Sequence, residues 1–142
     1  MNGLAGGAKS LLRIVAALLF VQHGGQKLLG WFGGLPGGRL ETLMLVAGCI
    51  ELVGGVLLLL GFLTRPVAFL ASGEMAVAYF RAHFPHGPWP LENHGELAVL
   101  FCFVWLFFAA SGPGPWSLDA LIARSRAHRR DPSSRREPLP AR

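Results

Sequence analysis

Four polar side chains interrupt apolar segments at positions where they could bind a ligand or carry a proton. His23 and Lys27 lie in the stretch FVQHGGQKLLGWFGG, Glu51 is the single charge between residues 43 and 63, and Glu74 lies in the next apolar segment. Imidazole and carboxyl groups are the common acids and bases of proteins. A charge at the centre of a bilayer costs about 2.5–3.5 kcal/mol, so we expect these groups to face one another.

The depth of these residues follows from the helical rise of about 1.5 Å per residue, which puts His23 about 9 Å and Glu51 about 16 Å below the outer surface. Glu74 falls near the middle of its segment. We expect His23 to point inward and Lys27, on the same helix face, to reach outward, although either could pair with a carboxyl group. The sequence therefore predicts a polar cavity in the outer half of the protein, with His23, Glu51 and Glu74 as its core. The residues expected at its outer mouth are Lys27, His83, His94 and Glu96, and the candidates for binding a cofactor are Lys27, Tyr79 and His83.

A second group of residues has the side-chain types of a metal site. Imidazole and carboxylate groups at these spacings could bind zinc or another divalent ion. The turn-forming sequence Gly-Pro-Trp-Pro lies between them, and such loops are common without a metal. The candidate ligands are His83, His86, His94 and Glu96.

The two cysteines, Cys49 and Cys102, are expected at similar depth, about 12–14 Å from the same surface. An exchangeable thiol pair is conceivable at that depth. Buried single cysteines, however, usually act as small apolar residues, and the sequence has no C-x-x-C motif.

The elements that position these residues are membrane spans. Of the 142 residues, 52% are hydrophobic and 15% are charged, and residues 97–110 contain no charge. A bilayer-spanning helix needs about 20 apolar residues. We predict an all-α integral membrane protein, an up-down bundle of four transmembrane helices at 11–29, 43–63, 66–84 and 94–111. The end of the first span lacks a signal-peptide cleavage site, so we expect it to remain in the mature protein.

The distribution of basic residues predicts the orientation. With four spans, ten of the thirteen Lys and Arg residues fall on the side that carries both termini, and Lys27, Arg39 and Arg81 fall on the other. Cytoplasmic loops carry the excess of Lys and Arg. We therefore expect a cytoplasmic N-terminal segment at 1–10 and a cytoplasmic C-terminus.

The region after the last span divides into two parts. Ser117 is a good N-cap, so residues 112–124 are predicted to form an interfacial amphipathic helix. Residues 125–142 are basic and rich in Pro and Ser, which predicts a disordered tail. Membrane lipids are the expected partner of this tail, a docking protein is a further candidate, and nucleic acid is not expected.

The order of several short motifs resembles the DoxX family of bacterial membrane proteins. These motifs are His23-Gly24-x-Gln26-Lys27 with Gly30-Trp31-Phe32-Gly33-Gly34, Glu51-Leu52-x-Gly54-Gly55, Gly61-Phe62-Leu63-Thr64-Arg65, and Gly112-Pro113-Gly114 with Trp116-Ser117-Leu118-Asp119. The resemblance covers about residues 10–122. It implies a four-helix bundle in the bacterial inner membrane and an association with thiol- or quinone-linked oxidoreductase systems. Many members of the family have no established activity.

Three interpretations of the cavity stay open on these grounds. It could be a hydrogen-bonded network that fixes the helix register. It could bind a quinone headgroup, with His23, Glu51 and Glu74 supplying hydrogen-bond donors and a proton carrier. It could also serve haem, with His23 as an axial ligand, or a solute path, which would require a homo-oligomer.

The function predicted from the sequence is therefore the membrane module of a redox system, working with a redox partner protein. The sequence has no phosphate-binding glycine loop, dinucleotide motif or nucleophile elbow, so a self-contained enzyme is not expected. The alternative is a non-enzymatic scaffold or assembly factor that recruits partners through the bundle and the basic tail.

Overall fold

A computed structural model describes residues 3–34 and 41–130, and nearly all of them are helical. Helix α1 is Gly3–Leu29 and α2 is Thr42–Leu60, with a π-helical stretch at Ile50–Gly54. Helix α3 is Thr64–Ala78 and continues as a π-helical turn at Tyr79–His83. The short α4 is Pro90–Asn93, α5 is Glu96–Ser111 and α6 is Leu118–Arg130. The all-α prediction is confirmed for these residues.

The core lies where the four longest apolar helices meet. Helix α3 packs along α5, and α1 packs along α2. Aromatic rings fill the centre: Phe20 contacts Phe101 and Trp105, with ring centroids 5.6 and 5.3 Å apart. Small residues let the helices approach these rings, and the other buried residues of this core cluster are Ala16, Ala17, Leu58, Ala68, Ala71, Met75 and Phe108.

The outer surface of the helices is as apolar as the core. Phe69 is 68% exposed, Phe103 62% and Leu100 61%. A water-soluble monomer rarely exposes contiguous apolar surface on this scale. Helices α1 and α2 are each long and apolar enough to cross a membrane, and α5 is a shorter apolar helix.

Close contact between α1 and α2 depends on glycine. A Cβ atom on Gly24 would collide with the backbone of Leu52, and one on Gly55 would come within 2.7 Å of the Val21 side chain. The two backbones can touch at these points only because both side chains are absent. This contact sets His23 and Lys27 of α1 against Glu51 of α2.

Arg13 ties together the opposite end of the protein. Its side chain is fully buried and donates hydrogen bonds to the carbonyl oxygens of Leu58, Leu59 (2.7 Å), Pro113 (3.0 Å) and Trp116 (2.5 Å). From the sequence, Arg13 is one of the ten basic residues that predict the membrane orientation. In the structure it joins α1 to the end of α2 and to the segment 112–117.

Helix boundaries differ from the predictions at the start of α1 and at both ends of α6. The helix predicted to start at 112 begins only at Leu118, because Gly112 and Gly114 have positive φ. Helix α1 begins at Gly3, because residues 5–10 include the helix formers Ala5, Ala8 and Lys9 and because Gly6 packs against Pro115. Helix α6 runs to Arg130, beyond the predicted boundary at 124, and its final basic residues suit the negative end of the helix dipole. The rest of the predicted tail, residues 131–142, lies outside the described residues.

Candidate functional site: a cavity between α2 and α3

A cavity of about 1070 Å³ separates the first half of α2 from the second half of α3. The two helices meet near the turn at Gly61, while Thr42–Cys49 packs mainly on α1. Buried residues Glu51, Met75, Ala98 and Phe101 form the floor. The walls are mostly apolar, and the charged or titratable residues that line the cavity are His23, Lys27, Glu41, Glu51, Glu74, Arg81 and His83.

Lys27 and Glu51 form an ion pair at the floor. The Lys27 ammonium lies 2.6 Å from Glu51 Oε1 and 2.5 Å from Oε2, and the Glu51 side chain is 2% exposed. The prediction that Lys27 reaches outward is therefore wrong, and the alternative of pairing with a carboxyl group holds. The ion pair compensates both side chains for the water that they lose on burial. An outward-reaching Lys27 would keep its own charge in water but would leave the Glu51 charge without a partner.

The π-helical stretch of α2 carries Glu51. In a π-helical turn the backbone bonds to the fifth residue along, and such turns are frequent at functional sites. Here Gly54 and Gly55 follow Glu51 and lie against α3 and α1. The motif Glu-Leu-x-Gly-Gly thus places an acid on a widened part of the helix next to its point of closest packing.

Glu74 lines the cavity from α3. Its Oε2 atom is buried and has no hydrogen-bond partner among the described residues. Buried polar atoms almost always have a partner, and an unpaired one costs about 1–3 kcal/mol. Glu74 is therefore the group in this cavity that is left with an open hydrogen-bonding position.

His23 is half-buried on the α1 side of the cavity. Its ring meets the Phe101 ring edge-to-face, with centroids 6.3 Å apart. The three residues predicted as the polar core, His23, Glu51 and Glu74, thus line one cavity on three different helices.

Of the residues predicted at the mouth or for cofactor binding, some line the cavity and others do not. His83 lines the cavity, and its Nδ1 atom lies 3.1 Å from the Asn93 carbonyl oxygen. Tyr79, predicted to bind a cofactor, is not among the lining residues of the described structure. Its hydroxyl donates to the Pro88 carbonyl at 3.0 Å and accepts a bond from Asn93 Nδ2 at 3.3 Å, so it holds the loop after α3.

The predicted metal site does not assemble in the described ranges. Within residues 3–34 and 41–130, no three His, Cys, Asp or Glu side chains come close enough to hold one ion. His86 bonds instead to the Ala82 carbonyl oxygen, and His94 ends α4 with a positive φ of 56°. The residues His83, His86, His94 and Glu96 are therefore not a metal-binding group here.

The two cysteines are free thiols. Cys49 is exposed on α2, whereas Cys102 lies against Ser72, with 3.6 Å between Sγ and Oγ. The suggested thiol pair is not formed.

Two charged residues of the cavity had no place in the predicted site. Glu41 precedes α2 and Arg81 lies in the π-helical turn that extends α3, and both are exposed at the mouth. The feature of the sequence that indicates a place for Arg81 in the cavity is its spacing of seven residues from Glu74, which places both residues on one helix face.

Comparison with known proteins adds to this description. The family model named DoxX matches residues 8–84, which contain most of α1 and all of α2 and α3. An uncharacterized protein of Haemophilus influenzae is 43% identical over 116 residues, which cover 78% of this chain and 87% of the relative. The inner membrane protein YqjF of Escherichia coli is 32% identical over 120 residues, covering 78% and 88%.

A further relative is an uncharacterized membrane protein of Mycobacterium tuberculosis, 29% identical over 131 residues and covering 80% of each chain. No solved structure shows a significant match. The match of the family model to more than half of the chain, together with the relative that is 43% identical and covered over 87% of its length, establishes that this chain belongs to the DoxX family of membrane proteins.

Proposed function

We propose that this protein is a multi-pass inner-membrane protein whose cavity binds the headgroup of a membrane-dissolved quinone, as the membrane module of a redox system. The observation that carries the proposal is the open hydrogen-bonding position of Glu74 inside a largely apolar cavity. Ligand sites commonly combine apolar walls with a few converging polar groups.

The lengths of the helices support four spans. An even number of spans puts both termini on one side of the membrane, and the excess of Lys and Arg on that side supports the cytoplasm as their location. Helix α2 has 19 residues, which extend about 28 Å, close to the thickness of the hydrocarbon core. Helix α3 with its π-helical turn is of similar length, and α5 is extended at its start by the loop that contains α4. In this orientation the cavity lies in the outer half of the bundle. A reporter protein that functions only in the cytoplasm should then be active when it is fused after α6.

The residues of the cavity fit a quinone. A quinone supplies reversible uptake of two electrons and two protons, and its carbonyl oxygens accept hydrogen bonds. Lys27, His23 and a protonated Glu74 are donors, and Phe101 and Met75 provide apolar surface for a ring. Glu74 and His23 can hold a proton near the ligand, while electrons would have to come from a partner protein.

Purified wild-type protein tests the proposal directly. Mass analysis of extracted small molecules should find a quinone, and the emptied protein should bind decylubiquinone or a short-tailed menaquinone analogue. Because a hydrogen bond between neutral groups contributes about 0.5–1.5 kcal/mol, Glu74→Leu and His23→Leu, which remove the donors, should each weaken binding by about two- to tenfold. Glu92→Leu, at an exposed carboxyl group of α4 outside the cavity, is the matched control and should bind as wild type does.

Two results would overturn the proposal: wild-type protein that is stable, contains no quinone and binds neither analogue, or binding that both cavity variants leave unchanged. Either result favours the scaffold alternative, in which α6 and the basic residues that follow recruit a partner.

A further inference from the structure

Gly73 is a glycine that the fold itself does not require. It lies in the middle of α3, where a glycine destabilises a helix relative to alanine. A Cβ atom on Gly73 would meet nothing within 4 Å, and Gly73 is not among the residues with positive φ. Gly24 and Gly55 differ from Gly73 because atoms of neighbouring helices occupy the space that their side chains would fill. Neither helix packing nor backbone conformation therefore explains Gly73.

The empty space at Gly73 belongs to the cavity. Gly73 lines it directly beside Glu74, and it is exposed to the exterior. Large apolar side chains lie on both sides of this opening, and each of them is about half exposed or more. They are Val46 (50%) on α2, and Phe69 (68%), Leu70 (55%) and Val77 (48%) on α3. The opening thus faces the region where lipid chains contact the helices.

We propose that Gly73 keeps open a lateral portal between α2 and α3, through which a lipid-dissolved molecule enters the cavity. This inference rests on the proposed function and adds the route of entry and the shape of the ligand. The headgroup lies inside, near Glu74 and the Lys27–Glu51 pair, and an apolar tail passes over Gly73 into the bilayer. Any side chain larger than hydrogen at this position would narrow the passage.

The distribution of polarity in the cavity selects this class of ligand. The lateral rim of the cavity is formed by the apolar side chains of α2 and α3, which offer no hydrogen bonds to replace the water that a highly charged molecule would lose there. The charged residues Glu41 and Arg81 lie at the outer mouth instead. The hydrogen-bonding groups lie further in, at Lys27, Glu51 and Glu74. A molecule with a small hydrogen-bonding headgroup and one apolar tail matches both parts.

Substitutions of graded size at Gly73 provide the test. Gly73→Ala should raise the Tm by about 2–4 °C, because it removes the helix penalty and meets no neighbour. Gly73→Leu and Gly73→Phe should fold and should weaken decylubiquinone binding progressively, by more than tenfold for Phe. Cys49→Phe introduces the same phenylalanine side chain at an exposed position of α2 outside the cavity, and this variant should bind decylubiquinone as wild type does.

A second readout does not depend on a quinone. A phospholipid with a diazirine in its acyl chain should label the buried floor residues Met75 and Phe101 in wild-type protein and in Cys49→Phe, but not in Gly73→Phe. Gly73→Leu serves if the phenylalanine variant does not fold.

The outcomes separate the two proposals. If wild type and Gly73→Phe bind the quinone equally and are labelled equally, the portal is wrong and the proposed function stands. If wild type binds no quinone, the proposed function fails, and labelling alone then decides the portal: loss in Gly73→Phe supports it, and equal labelling overturns it. A fall in Tm for Gly73→Ala would also overturn it, because Gly73 would then have a packing role.

Discussion

The carboxylate of Asp119 accepts a hydrogen bond from the backbone N–H of Thr64 at 2.9 Å, although 55 residues separate them. Its other oxygen accepts a bond from the Leu63 N–H at 3.0 Å. The first N–H groups of a helix lack partners within the helix and are usually capped by a neighbouring residue. At α3, where Leu63 has a positive φ of 50°, a residue from the chain beyond α5 performs this role.

We expect Asp119→Ala to lower the free energy of unfolding by about 1–3 kcal/mol, because two N–H groups lose a charged acceptor. Unfolding in mixed micelles at increasing denaturant would measure this. Glu92→Ala removes an exposed carboxyl group elsewhere and should change stability by less than about 0.5 kcal/mol. Equal effects of the two substitutions would contradict the capping role.

Arg13→Met should be more damaging. The guanidinium donates to four buried or partly buried carbonyl groups, of which that of Leu58 also accepts a bond from the Gly61 N–H at 3.1 Å. Each carbonyl that loses its donor and that water cannot reach costs about 1–3 kcal/mol. We expect a large fall in the amount of folded protein in the membrane and a partial recovery with Arg13→Lys. Arg124→Met, on the exposed helix α6, is the control. Normal abundance of Arg13→Met would show that the segment 112–117 is held in another way.

The Lys27–Glu51 pair predicts a non-additive double substitution. Removing one partner leaves a buried charge, at a cost of about 3–5 kcal/mol, whereas removing both leaves none. Lys27→Met and Glu51→Gln should therefore each destabilise the protein more than the double variant does. A double-mutant cycle of unfolding free energies measures the coupling. Additive effects would mean that the two groups are not paired in the membrane.

The glycines of the α1–α2 contact predict an opposite response to that of Gly73. Gly24→Ala should destabilise by about 1–3 kcal/mol or more, since the new methyl group meets the Leu52 backbone, which cannot move aside as a side chain can. Gly3→Ala, at a position with no neighbour within 4 Å, should be neutral or slightly stabilising. Thermal unfolding of the two variants side by side would reveal the difference.

Local features of the sequence were sufficient for the helices. The apolar segments predicted all of the long helices, and the N-cap at Ser117 is confirmed by the bond from the Ala120 N–H to its hydroxyl at 3.2 Å. Hydropathy and capping depend on neighbours within a few residues. Such signals can be read before the chain is folded.

Long-range bonds could not be read in the same way. Nothing in the residues around Arg13 indicates that carbonyl oxygens from positions 58 and 116 surround it. The direction of Lys27 also depended on the register between α1 and α2, which Gly24 and Gly55 fix through backbone contact. Helical rise predicts the depth of each polar residue in the membrane, and this was enough to predict His23, Glu51 and Glu74 as one group. The places of Arg81 and Gly73 depend on the gap between α2 and α3, which is a feature of the folded structure.

The bonds of Arg13 also bear on the order in which the chain is made. Two of the carbonyl groups that it binds, those of Pro113 and Trp116, are synthesised after α1, α2, α3 and α5. Until the ribosome has passed residue 119, the Arg13 guanidinium lacks two of its four acceptors, and α3 lacks the carboxylate that caps it. The bundle is therefore completed only when residues 113–119 have been synthesised, and a nascent chain that stops earlier leaves the buried Arg13 cation with only the Leu58 and Leu59 carbonyl oxygens as acceptors.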